Sequence, residues 1–311
     1  LKLLAANNKQ VVFCYLKTGG CMRMVVRLST LVTVLFLAAC GGGGGGGAPA
    51  TASPAPSAPA NASELVVASL PANTKCPSAD NIVLVYAGNE CLVVRTFGAS
   101  TAGGNPKLVV FVHGDVSSGG PADYMDNYAP AYATPGVVTV RLLRPGYPDS
   151  LGAISTGDAG NRLDTYTANN IQAVAHAIAV LRVHYKASRV VAVGHSGGAA
   201  ILASALGKHP GIIDGAALLA CPCDLRPWRP TWVNSQTAMD WASFVPAGTV
   251  VRALTGTADT QVASTFVTPY INVLAARSIN ATYADIAGAT HSSSTIFTTT
   301  TVQNAISGLI N

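Results

Sequence analysis

From Ile82 onward the chain alternates short apolar runs with longer stretches of helical spacing, and this alternation limits the available folds more than any other feature. Ile82–Tyr86 and Cys91–Thr96 read as early strands around an Ala-Gly-Asn turn. Lys107–Val112, Gly136–Leu143, Arg189–Val193, Gly215–Ala220, Val250–Leu254 and Ala281–Ile286 read as further strands. Between them, Thr167–Tyr185 repeats Ile171, Val174, Ala175, Ile178 and Leu181 at helical intervals, and Gly197–Gly207, Val267–Ala276 and Val302–Leu309 are helix-like too. Strands that are apolar on both sides need cover on both faces. The expected class is therefore α/β, a mostly parallel central sheet with helices on each face. Periodicity leaves several such folds open, dinucleotide-binding ones among them. Residues at the carboxyl ends of the strands decide, because open sheets place their chemistry there.

The run VVAV leads into Gly194-His195-Ser196-Gly197-Gly198 and then into the helix-like AAILASAL. A serine at the tip of a tight strand-to-helix turn is presented to the outside, and small residues are needed two positions to either side. In a glycine-rich chain the bare pattern is weak, but the flanking strand and helix point to Ser196 as a nucleophile rather than a structural turn. A serine nucleophile needs an imidazole base and a carboxylate to orient it. Asp259 lies just past VVRAL in a Gly/Thr-rich turn, and His291 lies in AGATHSSS after ATYADI. The gap of 32 residues between them holds one helix and one strand. Asp224 and Asp240 compete for the acid role, while Asp285 falls inside a strand-like run. His209, the other histidine after Ser196, precedes Pro210 at a helix end, and His195 beside the serine is read as packing or supporting. His176 and His184 fall on the long helix.

The HG-x sequence His113-Gly114-Asp115 follows VVFV. Taken with the turn around Ser196 and with Asp259 and His291 in that order, it makes the chain from about Val83 to Ile310 resemble the α/β-hydrolase superfamily of serine hydrolases. The resemblance implies that fold, with acid and base placed after the nucleophile. It also implies an oxyanion hole of two backbone N–H groups, from Gly197 and Asp115, supported by Gly194, Gly198, His113 and Gly114. The Asp115 carboxylate is expected either to turn away or to hold a cationic substrate group such as an α-amine. Between Ala220 and Thr249, 28 residues stand where relatives often insert a large lid, and this short insertion carries Trp228, Trp232 and Trp241. These rings are candidates for an apolar pocket wall, with core packing of one or two of them equally open. Arg226 and Arg229 face solvent or meet a substrate carboxylate. The run Arg144-Pro145-Gly146-Tyr147-Pro148 resembles a cleft-bordering loop of aminopeptidases and esterases, which would bring Tyr147 against substrate.

The chain departs from the aminopeptidase pattern in reading HGDV where HGGPG is usual, and it lacks their bulky helical cap. The expected activity is therefore hydrolysis of a carboxylic ester, a small-molecule or acyl substrate, through an acyl-enzyme. A serine peptidase or amidase is the second reading, and a non-catalytic lipoprotein binding module the third. No cofactor is required by this chemistry. Oligomeric state is not legible.

The N-terminal part has a different character. The formal charge of +5 is carried by Lys2, Lys9, Lys17, Arg23 and Arg27, since the other Lys and Arg equal the Asp and Glu in number. That leaves no clustered cations for nucleic acid. Arg23 and Arg27 precede an apolar run of 12 residues, Leu28–Ala39, too short for a spanning helix of roughly 20 and fitting an export signal. Leu37-Ala38-Ala39-Cys40 resembles a bacterial lipobox, which implies acylation at Cys40 and a membrane anchor. Gly41 lacks the acidic inner-membrane retention signal and so points to the outer membrane, with the catalytic domain periplasmic or surface-exposed; cleavage to a soluble secreted form is the alternative. Seven glycines and a Pro/Ala/Ser-rich segment then read as a tether. The expected organisation is an upstream or misassigned segment over 1–21, a lipoprotein signal over 22–39, a lipidated cysteine and poorly ordered linker over 40–63, and a catalytic domain over 64–311. Cys76, Cys91, Cys221 and Cys223 remain for disulfides in an oxidising compartment. Cys76 with Cys91 would close a loop of about 15 residues, Cys221 with Cys223 would be a strained i,i+2 bridge, and cross-pairing among the four is open. C-P-C without a nearby His pair is not a metal site.

Overall fold

The computed structural model describes residues 2–7, 10–14, 21–24, 62–72 and 76–311. Two compact units divide the chain, Leu1–Ser57 and Ala58–Asn311. In the first, β1 (Lys2–Asn7), β2 (Gln10–Cys14) and β3 (Cys21–Met24) form an antiparallel sheet in that order. Cys40, the apolar segment before it and the Gly/Pro-rich tether lie outside the described residues.

The second unit begins upstream of the expected boundary. Helix α1 (Ala62–Ser69) starts where the linker was expected to continue, because Ala62, Val66 and Val67 pack against the main core and the Ser63 side chain is buried. Eight strands follow: β4 (Leu84–Tyr86), β5 (Cys91–Phe97), β6 (Lys107–Val112), β7 (Val137–Leu142), β8 (Arg189–His195), β9 (Gly215–Leu219), β10 (Val250–Gly256) and β11 (Asn280–Ile286). They form one sheet in the order β11-β10-β9-β8-β6-β7-β5-β4, in which β5 runs antiparallel to both β4 and β7 and every other pair is parallel.

Alternate residues of the strands feed two separate cores. Leu108, Val110, Val140, Val190, Ala192 and Leu218 point to one face, where α2 (Ala168–His184), α3 (Gly197–Lys208) and α5 (Thr268–Ala276) cover them. Val109, Phe111, Val191, Val193, Ala217 and Leu219 point to the other, under α7 (Thr300–Ile310) and the short helix α6 (Thr295–Thr298). Burial on both faces is why these strands carry no polar alternation. A single turn of helix, α4 (Leu225–Trp228), opens the insertion between β9 and β10.

After β6 the chain crosses to β7 on one side and returns to β8 on the other. The ends of β6 and β8 therefore diverge from a topological switch point, where open sheets leave a crevice for ligands. His113-Gly114-Asp115 and Ser196 stand on its two sides.

Candidate active site

Ser196 occupies the single residue between β8 and α3 with φ 50° and ψ −120°. This is a costly backbone state for a residue with a Cβ, and it persists because the surroundings hold it. Its N–H donates to the Leu219 carbonyl of β9 at 2.8 Å, and its own carbonyl accepts from Ala200 N–H at 3.0 Å. The turn is tight enough to exclude side chains on either side. A Cβ on Gly194 would lie 2.6 Å from Ala199 Cα, and one on Gly198 would collide with the Val112 and His113 carbonyls.

Asp259 follows β10 and His291 follows β11, adjacent parallel strands that end level with each other. Asp259 Oδ1 accepts the N–H groups of Gln261 and Val262, each at 2.9 Å, and Oδ2 faces His291 Nδ1 at 2.8 Å. Burial pushes this carboxyl pKa up, but the bonds from His291, Val262 and Gln261 outweigh it and hold the group below the ordinary carboxylate value. An ionised carboxylate only accepts, so Nδ1 carries the proton and the neutral ring presents a bare Nε2. That nitrogen is 2.9 Å from Ser196 Oγ. Proton relay, orientation and nucleophile are thus in one continuous chain, with all three residues nearly buried.

His195 is a member of a second chain. Its Nε2 lies 2.8 Å from the His291 carbonyl and its Nδ1 2.7 Å from Tyr124 Oη. A carbonyl can only accept, so Nε2 donates, and Nδ1 takes the tyrosine proton. Tyr124 Oη in turn accepts Gly114 N–H at 2.6 Å. Burial, with a smaller contribution from His291, lowers the His195 pKa to about 4, so the ring stays neutral. His195 therefore positions the backbone of the catalytic imidazole and links it to the loop after β6.

That loop is braced from below. Arg144 N–H donates to His113 Nε2 at 2.9 Å, which leaves His113 Nδ1 to donate to the Gly114 carbonyl at 2.7 Å. The Asp115 carboxylate lies close beside Gly197 and is engaged within the protein: it accepts from Arg144 Nη1 at 2.8 Å and from Tyr166 Oη at 2.6 Å, and Arg144 Nη2 donates to Thr165 Oγ1 at 3.0 Å. The N–H groups of Asp115 and Gly197 donate to no protein group among the described residues.

A cavity of about 480 Å³ opens above Ser196 and His291, with Trp228 and Trp232 on one wall and the stacked pair Tyr128 and Phe297, 4.2 Å apart, on another. Two residues expected at substrate lie elsewhere. Tyr147 is fully buried, edge-on to His113 at 4.6 Å, and supports the loop instead of lining the cavity. Trp241 is outside the cavity as well: the insertion wraps the far end of α3, so its carbonyl abuts Gly207 and the Lys208 ammonium sits 5.4 Å from its ring centre. Of the residues open to either reading, Arg226 pairs with Asp240 and Arg229 reaches the cavity rim. Neither Asp240, which pairs with Arg226, nor Asp224 bonds to His291, whose acid partner is Asp259. The bridges are Cys76–Cys91 and Cys221–Cys223 rather than crossed, with Cα atoms 5.2 and 5.1 Å apart. Tyr124, Phe297 and Arg162 belong to the site without having been legible as such.

The sheet order, the strained serine turn and the Asp-His-Ser chain define a serine hydrolase. The profile of the alpha/beta hydrolase family matches residues 109–299, and the chain belongs to that family. Among solved structures it is similar to the esterase Pf2001 of Pyrococcus furiosus, at 16% identity and TM-score 0.54 over 68% of this chain and 84% of that one. It is also similar to Est1E of Butyrivibrio proteoclasticus with ferulic acid bound, at 14% identity and TM-score 0.52 over 73% and 96%. CarC, a serine hydrolase involved in carbazole degradation, aligns at 12% identity and TM-score 0.51 over 73% and 97%. These likenesses are likenesses of fold. No curated protein sequence matches the chain.

Proposed function

We propose that the protein hydrolyses carboxylic esters through an acyl-enzyme on Ser196. The observation that carries this is the unbroken chain from Asp259 through His291 to Ser196 Oγ at the floor of an open cavity. Ser196 Oγ attacks the ester carbonyl as His291 Nε2 takes its proton, and Asp259 stabilises the imidazolium. The amides of Gly197 and Asp115, free of protein partners among the described residues, receive the negative oxygen. His291 then returns the proton to the leaving alcohol, and a water it activates releases the acid. An ester is favoured over a peptide because Asp115, the one carboxylate lining the cavity, is already engaged by Arg144 and Tyr166 and offers nothing to an α-amine. Pf2001 and the Thermogutta terrifontis enzyme Est2, both named as esterases, share the fold.

The exported, lipid-anchored placement is supported by Arg23 and Arg27 before the apolar run and by Leu37-Ala38-Ala39-Cys40 before the glycine tether. The linker and anchor would hold a catalytic unit at an outer-membrane surface. Activity-based labelling of fractionated cells with a fluorophosphonate tests both parts. The expected result is one labelled band in the membrane fraction, absent in Ser196→Ala and moved to the soluble fraction in Cys40→Ser. A folded protein that takes no label would end the hydrolase reading, and faster turnover of aminoacyl anilides than of p-nitrophenyl esters would replace it with a peptidase.

A further inference from the structure

The cavity above Ser196 carries positive charge that the triad does not use. Arg229 is exposed at its rim, with the guanidinium carbon 4.1 Å from the ring centre of Trp228 and 5.9 Å from that of Trp232. Of its five N–H groups one is engaged among the described residues, from Nη1 to the Trp228 carbonyl at 3.3 Å. Trp228 is itself fixed, since its Nε1 donates to the Gln261 carbonyl at 2.7 Å, and Gln261 N–H donates to Asp259. The loop that holds the catalytic acid therefore also holds the ring on which Arg229 lies.

Arg162, the second cation on the cavity wall, donates from Nη1 to the Val116 and Gly120 carbonyls at 2.9 and 3.3 Å and from Nη2 to the Gly119 carbonyl at 3.2 Å. Its neighbour Asp164 is turned to Asn234 and Ser235. Neither Arg162 nor Arg229 makes an ion pair among the described residues; Arg189, Arg252 and Arg277 make none either, but those three lie outside the cavity and bond to backbone carbonyls or Asn280. The one carboxylate on the cavity wall, Asp115, is answered by Arg144.

An arginine on an aromatic face can be explained by packing of its stem and plane alone. Two guanidiniums without counter-ions on the wall of one substrate cavity, one of them held over an aromatic ring with N–H groups to spare, go further. A planar fork already oriented by a ring loses little freedom on meeting a carboxylate at two points.

We propose that the cavity takes esters bearing a second, anionic group, a carboxylate, which pairs with Arg229 while Arg162 adds to the attracting field. This rests on the esterase reading and names its substrate class. The test compares charged and neutral esters of matched size. An acyl-side pair is p-nitrophenyl hemiglutarate against p-nitrophenyl pentanoate; an alcohol-side pair is p-carboxyphenyl pentanoate against phenyl pentanoate. The wild type is expected to favour the anionic member of one pair in kcat/KM, and which pair does so tells whether Arg229 serves the acyl or the alcohol side. In Arg229→Ala that ratio falls about tenfold, in Arg229→Glu further, and salt erodes the wild-type preference. Arg226→Ala, whose arginine is paired outside the cavity, keeps the wild-type ratio. Ratios near one in both pairs, or ratios indifferent to Arg229→Glu, would overturn the proposal. Glutarate titrated against tryptophan fluorescence separates the two readings. If no ester is turned over but Arg229→Glu abolishes glutarate binding, the anion site stands and the esterase reading falls; if no ester is turned over and the wild type does not bind glutarate, both fall.

Discussion

Tyr124 shows how much of a site can hang on one hydroxyl. Its oxygen accepts from Gly114 N–H and its proton goes to His195, which in turn holds the His291 carbonyl. Tyr124→Phe leaves two buried groups without partners at about 1–3 kcal/mol each. It also loosens the ring of His195, whose Nε2 holds the backbone of the base. The expected outcome is a kcat lowered roughly 10- to 100-fold, with KM changed much less. Steady-state kinetics beside urea unfolding check it, and a kcat within twofold of wild type would remove the positioning role. Ser196, Asp259 and His291 were readable from sequence because each sits in a turn directly after an apolar strand, a context that short motifs need. Tyr124 and Phe297 were not, since they lie in single helical turns without a period to betray which way a side chain faces. Tyr147 was misplaced for a related reason. Its loop lies beside the cleft, but the edge-on packing of Tyr147 against His113, with Arg144 over its ring, turns it inward, and nothing in RPGYP records that contact.

At the level of elements, strands and long helices were recovered to within a few residues because both kinds of period are local. Lys107–Val112, apolar after its lysine, is β6 to the residue. The insertion between β9 and β10 was opaque, as its course depends on long-range bonds such as Asp164 to Asn234 and Trp228 to Gln261. The Cys76–Cys91 bridge belongs to this scale too. It ties the segment ahead of β4 to the first residue of β5 across a separation of 15, at the antiparallel end of the sheet and away from the triad. Replacing both cysteines by serine is expected to lower the unfolding free energy by about 3 kcal/mol in the loop-entropy account. Chemical denaturation measures this, and esterase kcat should stay at the wild-type value.

For the whole molecule, the buried histidines set the response to acid. Burial holds His195 and His209 down to about 4 and His113 well below its ordinary value of 6.5, with His176 and Lys208 adding to the effect at His209 and Arg144 at His113. The unfolded chain takes up protons below pH 6.5 that the native one refuses, so stability is full above that pH and declines as pH falls toward 4. Each of His195 and His209 contributes on the order of 3 kcal/mol to that decline. Asp259, held below the ordinary carboxylate value, adds a loss of the same sign at still lower pH. Urea midpoints measured from pH 7 to pH 4.5 should fall steadily, and His209→Gln should flatten the curve; a pH-independent midpoint would contradict the neutral burial of these rings.

The sheet order has a consequence for the chain's history. Ser196 and His291 are 95 residues apart, and the latter hangs from β11, an edge strand and the most C-terminal of the eight in the sheet. Contacts so distant in sequence form late, after the entropy of closing the intervening loops has been met. Until that edge docks, the hydroxyl at residue 196 has no base and reacts no faster than any surface serine. A nascent or half-folded polypeptide is therefore chemically harmless, and hydrolytic power arrives only with completion of the last strand.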